Sequence, residues 1–325
     1  MQALTPHSGP PFPTVQPCGL ATLPMKGGKR GEMLWILLTA AAAPLQVARN
    51  ALQRGLVGDA GPWGATLVRF LFGLPFSLAL FAVVAALTPH AVPHAGPRFL
   101  IAVAAGAIAQ VCATAALLMA MRSSGFAVAT FMQQSSLPLG ALIGFFVFGD
   151  RLTGVQWTGL AVTSLALLTL SWPRRGQATG IGAGALYGLA SGIAFAVALN
   201  GYRQSGLALE PAHPIYSATA ALCVAQALQS IVMVLLLAAI RPSALNAVWA
   251  SWRISLAAGF FGTAASACWF SALALAPAGQ VRAVGVIEGP IAAAAGRRLF
   301  KERLSLRQMA GGAMAAVGVV MTALG

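Results

Sequence analysis

Long apolar runs, each close to the roughly 20 residues that a membrane-spanning helix needs, fill the chain from residue 32 to its C-terminus. Hydrophobic types make up 58% of the 325 residues and charged types only 8%, whereas a soluble domain has about 25% charged residues. A surface this poor in charge does not suit water, so lipid is the expected solvent. Because lipid offers no hydrogen-bond partner to backbone N–H and C=O groups, each span must satisfy its own, and the sequence predicts an all-α membrane protein.

Turn-forming prolines and glycines divide this region into ten predicted transmembrane helices, here called spans 1 to 10. They cover residues 33–55, 63–87, 98–121, 125–148, 154–172, 180–203, 215–240, 253–274, 279–299 and 306–324. Residues 1–31 hold six of the 19 prolines and no run long enough to span. We expect a disordered Pro-rich tail, or an upstream extension from a misassigned start, rather than a signal peptide.

Twenty basic and six acidic residues give a net charge of +14. The bases are scattered at the ends of apolar runs, which is typical of residues that set membrane topology, so no nucleic-acid partner is expected. The four cysteines form no CxxC pair, and the histidines fall in the tail or in loops. We therefore expect no metal and no cofactor. Without a Walker loop, GxSxG or HExxH motif, an enzyme is not expected either.

The chain repeats itself at an offset of 152 residues. Pro138 matches Pro290, and the Asp-Arg-Leu-Thr of 150–153 matches the Glu-Arg-Leu-Ser of 302–305. One repeat holds five spans, and because five is odd the second copy enters the membrane from the opposite side. Such an inverted-topology repeat recurs in secondary transporters.

Each half closes with an apolar span, a proline, and then GDRLT at 149–153 or KERLS at 301–305. This pattern resembles the EamA-type members of the drug/metabolite transporter superfamily over about residues 33–324. The resemblance implies two five-helix repeats, at 32–172 and 180–325, that move a small metabolite by alternating access. It also implies that both termini are cytoplasmic. It does not imply a substrate, because the two motifs mark the fold.

The basic residues disagree about orientation. With the N-terminus in the cytoplasm, the bases of 26–30, Arg98 and Arg151 obey the positive-inside rule, but the five bases of 297–307 lie outside. We expect cytoplasmic termini, on the N-terminal signal and the resemblance. The alternatives are misplaced helix ends or arginines that line a vestibule.

Polar side chains inside the spans are the candidates for function, because each is costly in lipid. Span 1 carries Gln46, Arg49, Asn50 and Gln53 at steps of three and four, which places them on one helix face. Pro44 just before them can kink the helix. We expect this stripe to line the substrate path, with Arg49 able to hold a carboxylate or phosphate. Alternatively, Arg49 snorkels to the interface and the amides only pack.

Span 4 carries the amides Gln133 and Gln134 shortly before Pro138. Pro138 and Pro290, at matched positions, are expected to open spans 4 and 9 and to free carbonyl groups. Interrupted helices at corresponding positions of two halves point to a transporter's binding site. We therefore predict that both glutamines belong to the substrate site.

Glu288 is the acid predicted deep in a span, at the repeat position of Ser136. It can bind a proton in one conformation and a cationic or amine substrate in the other, which makes it the candidate for proton coupling. The alternative is a structural ion pair with Arg282, Arg49 or Arg69.

Several weaker features complete the set. Gln110 in span 3, Asn200 in span 6 and Trp269 in span 8 are candidates for gripping a substrate, with plain packing as the alternative. Arg69, which resembles an arginine in that family's second span, is expected to be structural or gating. The glycines at every fourth position of 184–192 are expected to allow close helix packing.

The resulting expectation is a secondary active transporter of a small metabolite in the plasma membrane. An amino acid or related amphiphilic compound is the expected substrate, export is favoured, and spans 1, 4, 6 and 9 line the cavity. The partners are the solute and the lipid bilayer, and the protein is a monomer or homodimer. Alternatives are an importer of a cofactor or nucleobase-like compound, a lipid flippase, and a membrane scaffold that transports nothing.

Overall fold

The computed structural model describes residues 29–148, 152–171, 182–275, 281 and 284–324. These residues form helices and no strand, which confirms the all-α prediction. The helices are α1 (Lys29–Leu71), α2 (Leu74–Leu87), α3 (Pro97–Ser124), α4 (Phe126–Gln133), α5 (Ser136–Phe148), α6 (Gly154–Ser171), α7 (Ala183–Leu209), α8 (Pro214–Ile240), α9 (Pro242–Ala250), α10 (Trp252–Leu275), α11 (Glu288–Leu299) and α12 (Leu306–Leu324). Most of the predicted tail lies outside the described residues, although α1 already includes 29–31.

Five helical stretches within the described residues are long and apolar enough to cross a membrane. They are Met33–Leu87, which joins α1 and α2, and the helices α3, α7, α8 and α10. Large apolar side chains such as Ile101 and Leu235 are exposed on these helices. In water such a surface is unfavourable, whereas acyl chains accept it. The chain is therefore a multi-pass membrane protein.

The long helix α1 holds two predicted spans and changes direction between them at Gly61. Gly61 has φ 70° and ψ 172°, a backbone conformation that glycine adopts without a steric penalty. Pro44 lies inside the same helix, but the non-helical backbone of α1 is at Gly61. The change of direction therefore comes after the polar stripe of span 1 and not before it.

Two interruptions lie at matched positions of the two halves. The helix of span 4 breaks at residues 134–135, and that of span 9 breaks at 286–287. Each break starts four residues before a proline, at 134 for Pro138 and at 286 for Pro290, because the proline nitrogen has no hydrogen to give to that carbonyl. Residue 286 lies 152 residues after residue 134, so the breaks follow the sequence repeat. The expectation that both prolines open their helices is confirmed.

The helix contacts follow a two-fold exchange of the halves. Helix α3 (span 3) packs along α7 (span 6), and α1 (span 1) packs along α10 (span 8). Exchanging the two halves replaces span 1 with span 6 and span 3 with span 8, so it turns each of these pairs into the other. The pairs α2 with α8, α4 with α11 and α6 with α12 each join a helix to its own counterpart. The core therefore lies between the two halves.

The two halves also run in opposite directions. Toward the end of its first span, α1 carries Arg54, which is paired with Glu302, and the start of α4 contacts the same carboxylate. Helix α7 begins on this side, with Gly184 against the end of α3. It ends at Leu209, whose carbonyl accepts a hydrogen bond from the backbone of His94 on the other side (2.9 Å). We call the two sides the Glu302 face and the His94 face. Spans 1 and 6 therefore cross in opposite senses.

Glycines on α7 let this helix lie against span 4. A Cβ added at Gly188 would lie 2.8 Å from the Cβ of Met132, and one at Gly192 would collide with Ser135 in the break of span 4. Contacts this short require the backbone to move. The packing interpretation of these glycines is confirmed.

We expect Gly188→Leu to lower the thermal midpoint of the purified protein by several degrees, because overpacking a close helix contact costs about 1–3 kcal/mol. The matched control is Gly206→Leu on the same helix, since an added Cβ there meets nothing within 4 Å. Thermal unfolding in detergent measures both variants. Equal midpoints for the two would contradict the packing described above.

Candidate functional site

A small cavity lies where the two halves meet. Its volume is about 40 Å³, which is room for roughly three water molecules. Its polar walls are the side chains of Gln46, Arg69, Gln110, Gln133 and Ser266. Gln110 is at the middle of α3 (Pro97–Ser124), so the cavity is near mid-membrane depth. A metabolite larger than a few atoms enters only if the helices move apart.

The remaining walls of the cavity are mainly aromatic. Phe195 and Tyr202 come from α7, and Trp269 and Phe270 come from α10. The rings of Tyr202 and Phe270 meet edge to face, with centroids 4.4 Å apart. Aromatic rings beside polar groups grip solutes that have both an apolar body and a polar end.

Three side chains of different helices form one hydrogen-bond network in the wall. Tyr202 Oη donates to Gln110 Oε1 (2.8 Å), and Gln229 Nε2 contacts the same two oxygens at 2.9 and 3.1 Å. All three residues are buried. Because buried polar networks hold their members in place, this network fixes the position of α3 relative to α7 and α8.

Glu288 is fully buried at the start of α11, directly after the break at 286–287. Gln46 Nε2 donates to its Oε1 at 2.8 Å, and Gln134 Nε2, in the opposite break, donates to its Oε2 at 3.3 Å. The two interruptions therefore meet at one carboxylate. Since Gln46 also lines the cavity, Glu288 is one side chain away from it.

The expected ion pairs of Glu288 are only partly tested. Among the described residues, neither Arg49 nor Arg69 lies within ion-pair distance of this carboxylate, although Arg49 is near enough for the two charges to interact. Arg282 lies outside the described residues. The direct pair with Arg49 or Arg69 is therefore not present.

Two arginines of α1, Arg49 and Arg69, are buried and pack against the same glycine of α10. Arg49 is 0% and Arg69 is 3% exposed, so the alternative that Arg49 snorkels to the interface is wrong. Arg49 donates to Asn50 Oδ1 through Nε (3.1 Å) and Nη2. A Cβ added at Gly262 would lie 3.2 Å from both Arg49 Cδ and Arg69 Cγ. Arg69 is the one of the two that lines the cavity.

Two other predicted residues lie apart from the cavity walls. Asn200 is partly exposed, and its Nδ2 donates to the carbonyl of Ala196 on its own helix (2.9 Å). Gln53 donates to the carbonyl of Ala65 (2.7 Å), which ties the two parts of α1 together across Gly61. Of the span 1 stripe, Gln46 is the member that reaches the cavity.

The cavity walls come from a different set of helices than expected. They belong to α1, α3, α4, α7 and α10, so spans 2, 3 and 8 line the cavity beside the predicted spans 1, 4 and 6. Span 9 reaches the site through Glu288. Sequence reasoning missed Tyr202, Ser266 and Gln229. Gln229 had a signal, since it and Gln226 are amides three residues apart in the middle of an apolar helix. The aromatic and hydroxyl side chains had none, because such residues also occur at lipid-facing and packing positions.

Comparison with known proteins gives a family match for the second half of the chain and a shared fold with a solved structure. Residues 182–324 match the EamA-like transporter family, so the resemblance to the drug/metabolite transporter superfamily is confirmed by the second half of the chain. A solved crystal structure of a protein covers 89% of this chain and 97% of its own length, with a TM-score of 0.58 and 17% sequence identity. This likeness shows a shared fold. Among curated proteins, none matches this chain. The family that the second half matches is described as one of transporters.

Proposed function

We propose that this chain, whose second half is an EamA-like repeat, is a secondary active transporter that works by alternating access. One observation carries the proposal. The breaks at 134–135 and 286–287 meet at Glu288 beside a cavity that both halves line. Interrupted helices at matched positions of inverted halves supply free backbone groups and a hinge at mid-membrane depth. Rocking of the halves about this point opens the cavity to one face and then to the other.

The proposed substrate is an amino acid or a related amphiphilic compound, and export is the proposed direction. The cavity supports the substrate class, since its walls combine a guanidinium and amides with aromatic rings. The direction rests on the family resemblance. An importer of a cofactor or nucleobase-like compound and a lipid flippase are the outcomes that the experiment below separates.

We place the protein in the plasma membrane with both termini in the cytoplasm. This orientation puts the Glu302 face, with its exposed bases Arg122, Arg241, Arg297 and Arg298, on the outside. The positive-inside rule alone favours the reverse. The proposal therefore rests on the N-terminal bases and the family resemblance, and a compartment-sensitive reporter fused to the C-terminus tests it.

Solute counterflow in proteoliposomes tests the proposed function, with a panel of amino acids, amines, carboxylates, nucleobases and short-chain lipids. We expect a class of water-soluble metabolites to raise the thermal midpoint of the purified protein, because a ligand that binds the folded state stabilises it. The same class should exchange across the membrane without ATP. Scrambling of labelled lipid without solute exchange would favour a flippase, and neither activity would overturn the proposal.

A further inference from the structure

Arg69 places its guanidinium at the cavity, where its hydrogen-bond partners are neutral hydroxyl groups. Its Nη1 donates to Thr114 Oγ1 (3.1 Å) and its Nη2 to Ser266 Oγ (3.2 Å), and both partners are neutral. Its Nε has no hydrogen-bond partner. Within the described ranges, no carboxylate lies within ion-pair distance of Arg69. A buried charge is costly unless it is paired, so this geometry is suited to a partner that arrives with the solute.

The surroundings of Arg69 increase the preference for a negative charge. Arg49 packs against the same Gly262 as Arg69 does, and Arg49 Nη1 also lacks a hydrogen-bond partner. Glu288, the carboxylate of this buried cluster, is occupied by the two amide donors Gln46 and Gln134. Counted over the described residues, two guanidinium groups and one carboxylate leave this cluster with a net positive charge, which attracts anions and repels cations.

The other cavity walls offer a hydrogen-bond acceptor and an apolar surface. Gln133 is buried, lines the cavity and has an Oε1 without a partner. The rings of Phe195 and Trp269 form the adjoining surface. A solute that satisfies all three features has an anionic group, a hydrogen-bond donor and an apolar body.

We propose that Arg69 binds the anionic group of the transported solute, so that the substrate class is a small amphiphilic carboxylate or similar anion. This inference rests on the proposed function and deepens it. It moves the anion-binding role from Arg49, which the sequence favoured, to Arg69, which faces the cavity. Arg49 then supports the site through its charge, and Gln133 accepts the donor of the solute.

The test is a series of carboxylates from acetate to phenylacetate, each compared with its neutral amide. Binding to the purified protein is followed by thermal stabilisation and by competition in counterflow. We expect the carboxylates to bind at least about tenfold more tightly than the amides, because hydrogen bonds to charged groups are the stronger ones. Arg69→Gln should remove this difference, and Arg69→Lys should retain part of it. Arg98→Gln, at an exposed position outside the cavity walls, should leave the preference intact.

Equal or tighter binding of the amides by the unaltered protein would overturn the inference, as would a carboxylate preference that survives in Arg69→Gln. If Arg69→Gln does not fold, the carboxylate and amide affinities of the unaltered protein are sufficient to support or overturn the inference. The two proposals fail differently. Counterflow of neutral or cationic solutes without any preference for anions ends the role of Arg69 but keeps the transporter, whereas no counterflow of any solute ends the proposed function.

Discussion

Replacing Glu288 with glutamine is expected to lower pH-gradient-driven solute transport at least tenfold, while exchange without a gradient continues. Membrane-embedded acids serve as proton carriers in pumps and transporters, and glutamine cannot take up or release a proton. The amide oxygen of the new glutamine can still accept the hydrogen bond that Gln46 donates to Glu288 Oε1 (2.8 Å) in the unaltered protein. Of the charged groups described on the packed helices, Arg49 is the one whose charge interacts with Glu288, and Gln134 is neutral. The fold should therefore survive the change.

The measurement is uptake into proteoliposomes with an imposed pH gradient, beside counterflow and a thermal midpoint for the same preparation. The matched control is Glu210→Gln, since Glu210 lies at the His94 face and accepts from the backbone of Val92. That variant should retain coupling. Full gradient-driven transport in Glu288→Gln would show that this carboxylate does not carry the coupled proton.

Replacing Glu302 with glutamine is expected to loosen the Glu302 face. The Glu302 carboxylate accepts from Arg54 Nη1 (2.5 Å) and from the backbone nitrogens of Phe126 (2.8 Å) and Ala127 (3.3 Å). It thus lies at the N-terminus of α4, where the helix dipole favours a negative charge. Arg54 in turn lies over the ring of Phe300, 4.0 Å from its centroid. These contacts join α1 and α4 of the first half to the KERLS segment of the second.

Because that face cannot open without breaking these contacts, Glu302→Gln should shift the protein toward the conformation that is open there. We expect a loss of about 1–3 kcal/mol of stability and several-fold faster thiol labelling of a cavity cysteine from this face. Asp59→Asn is the matched control, since Asp59 is exposed near the same end of the first span. If the two variants behave alike, the Glu302 contacts do not hold this face closed.

The interruptions of spans 4 and 9 were predictable because their cause is local. A proline removes the bond to the carbonyl four residues earlier, so Pro138 and Pro290 fix both the breaks and their spacing. The meeting of Gln46 with Glu288 was not predictable, since it depends on how two helices 242 residues apart in sequence pack together.

The polar stripe of span 1 shows that a shared helix face does not predict a shared role. Gln46, Arg49, Asn50 and Gln53 do share a face, and all four are buried. Their uses differ nevertheless, because Arg49 and Asn50 bond to each other and Gln53 bonds to the backbone beyond Gly61. Which member of a polar stripe meets the cavity is decided by the neighbouring helices, about which the local sequence says nothing.

The role of Arg69 was missed for a related reason. Its position near the start of span 2 suggested a structural or gating residue. The turn at Gly61 and the close approach of α10 at Gly262 instead bring its side chain to the cavity beside Ser266. Asn200 shows the opposite outcome, since the sequence predicted that it grips the substrate while the structure leaves it partly exposed and outside the cavity walls.

The central claim is that one cavity between the two halves opens to each face in turn. Its most direct test is Ser266→Cys in a variant that lacks the four native cysteines, labelled with a membrane-impermeant thiol reagent added to either side. The account predicts labelling from both sides, slowed by a transported solute, and no labelling of Leu235→Cys, which lies on the lipid-facing surface of α8 with 65% of its area exposed. Labelling of Ser266→Cys from one side only, or from neither, would contradict alternating access.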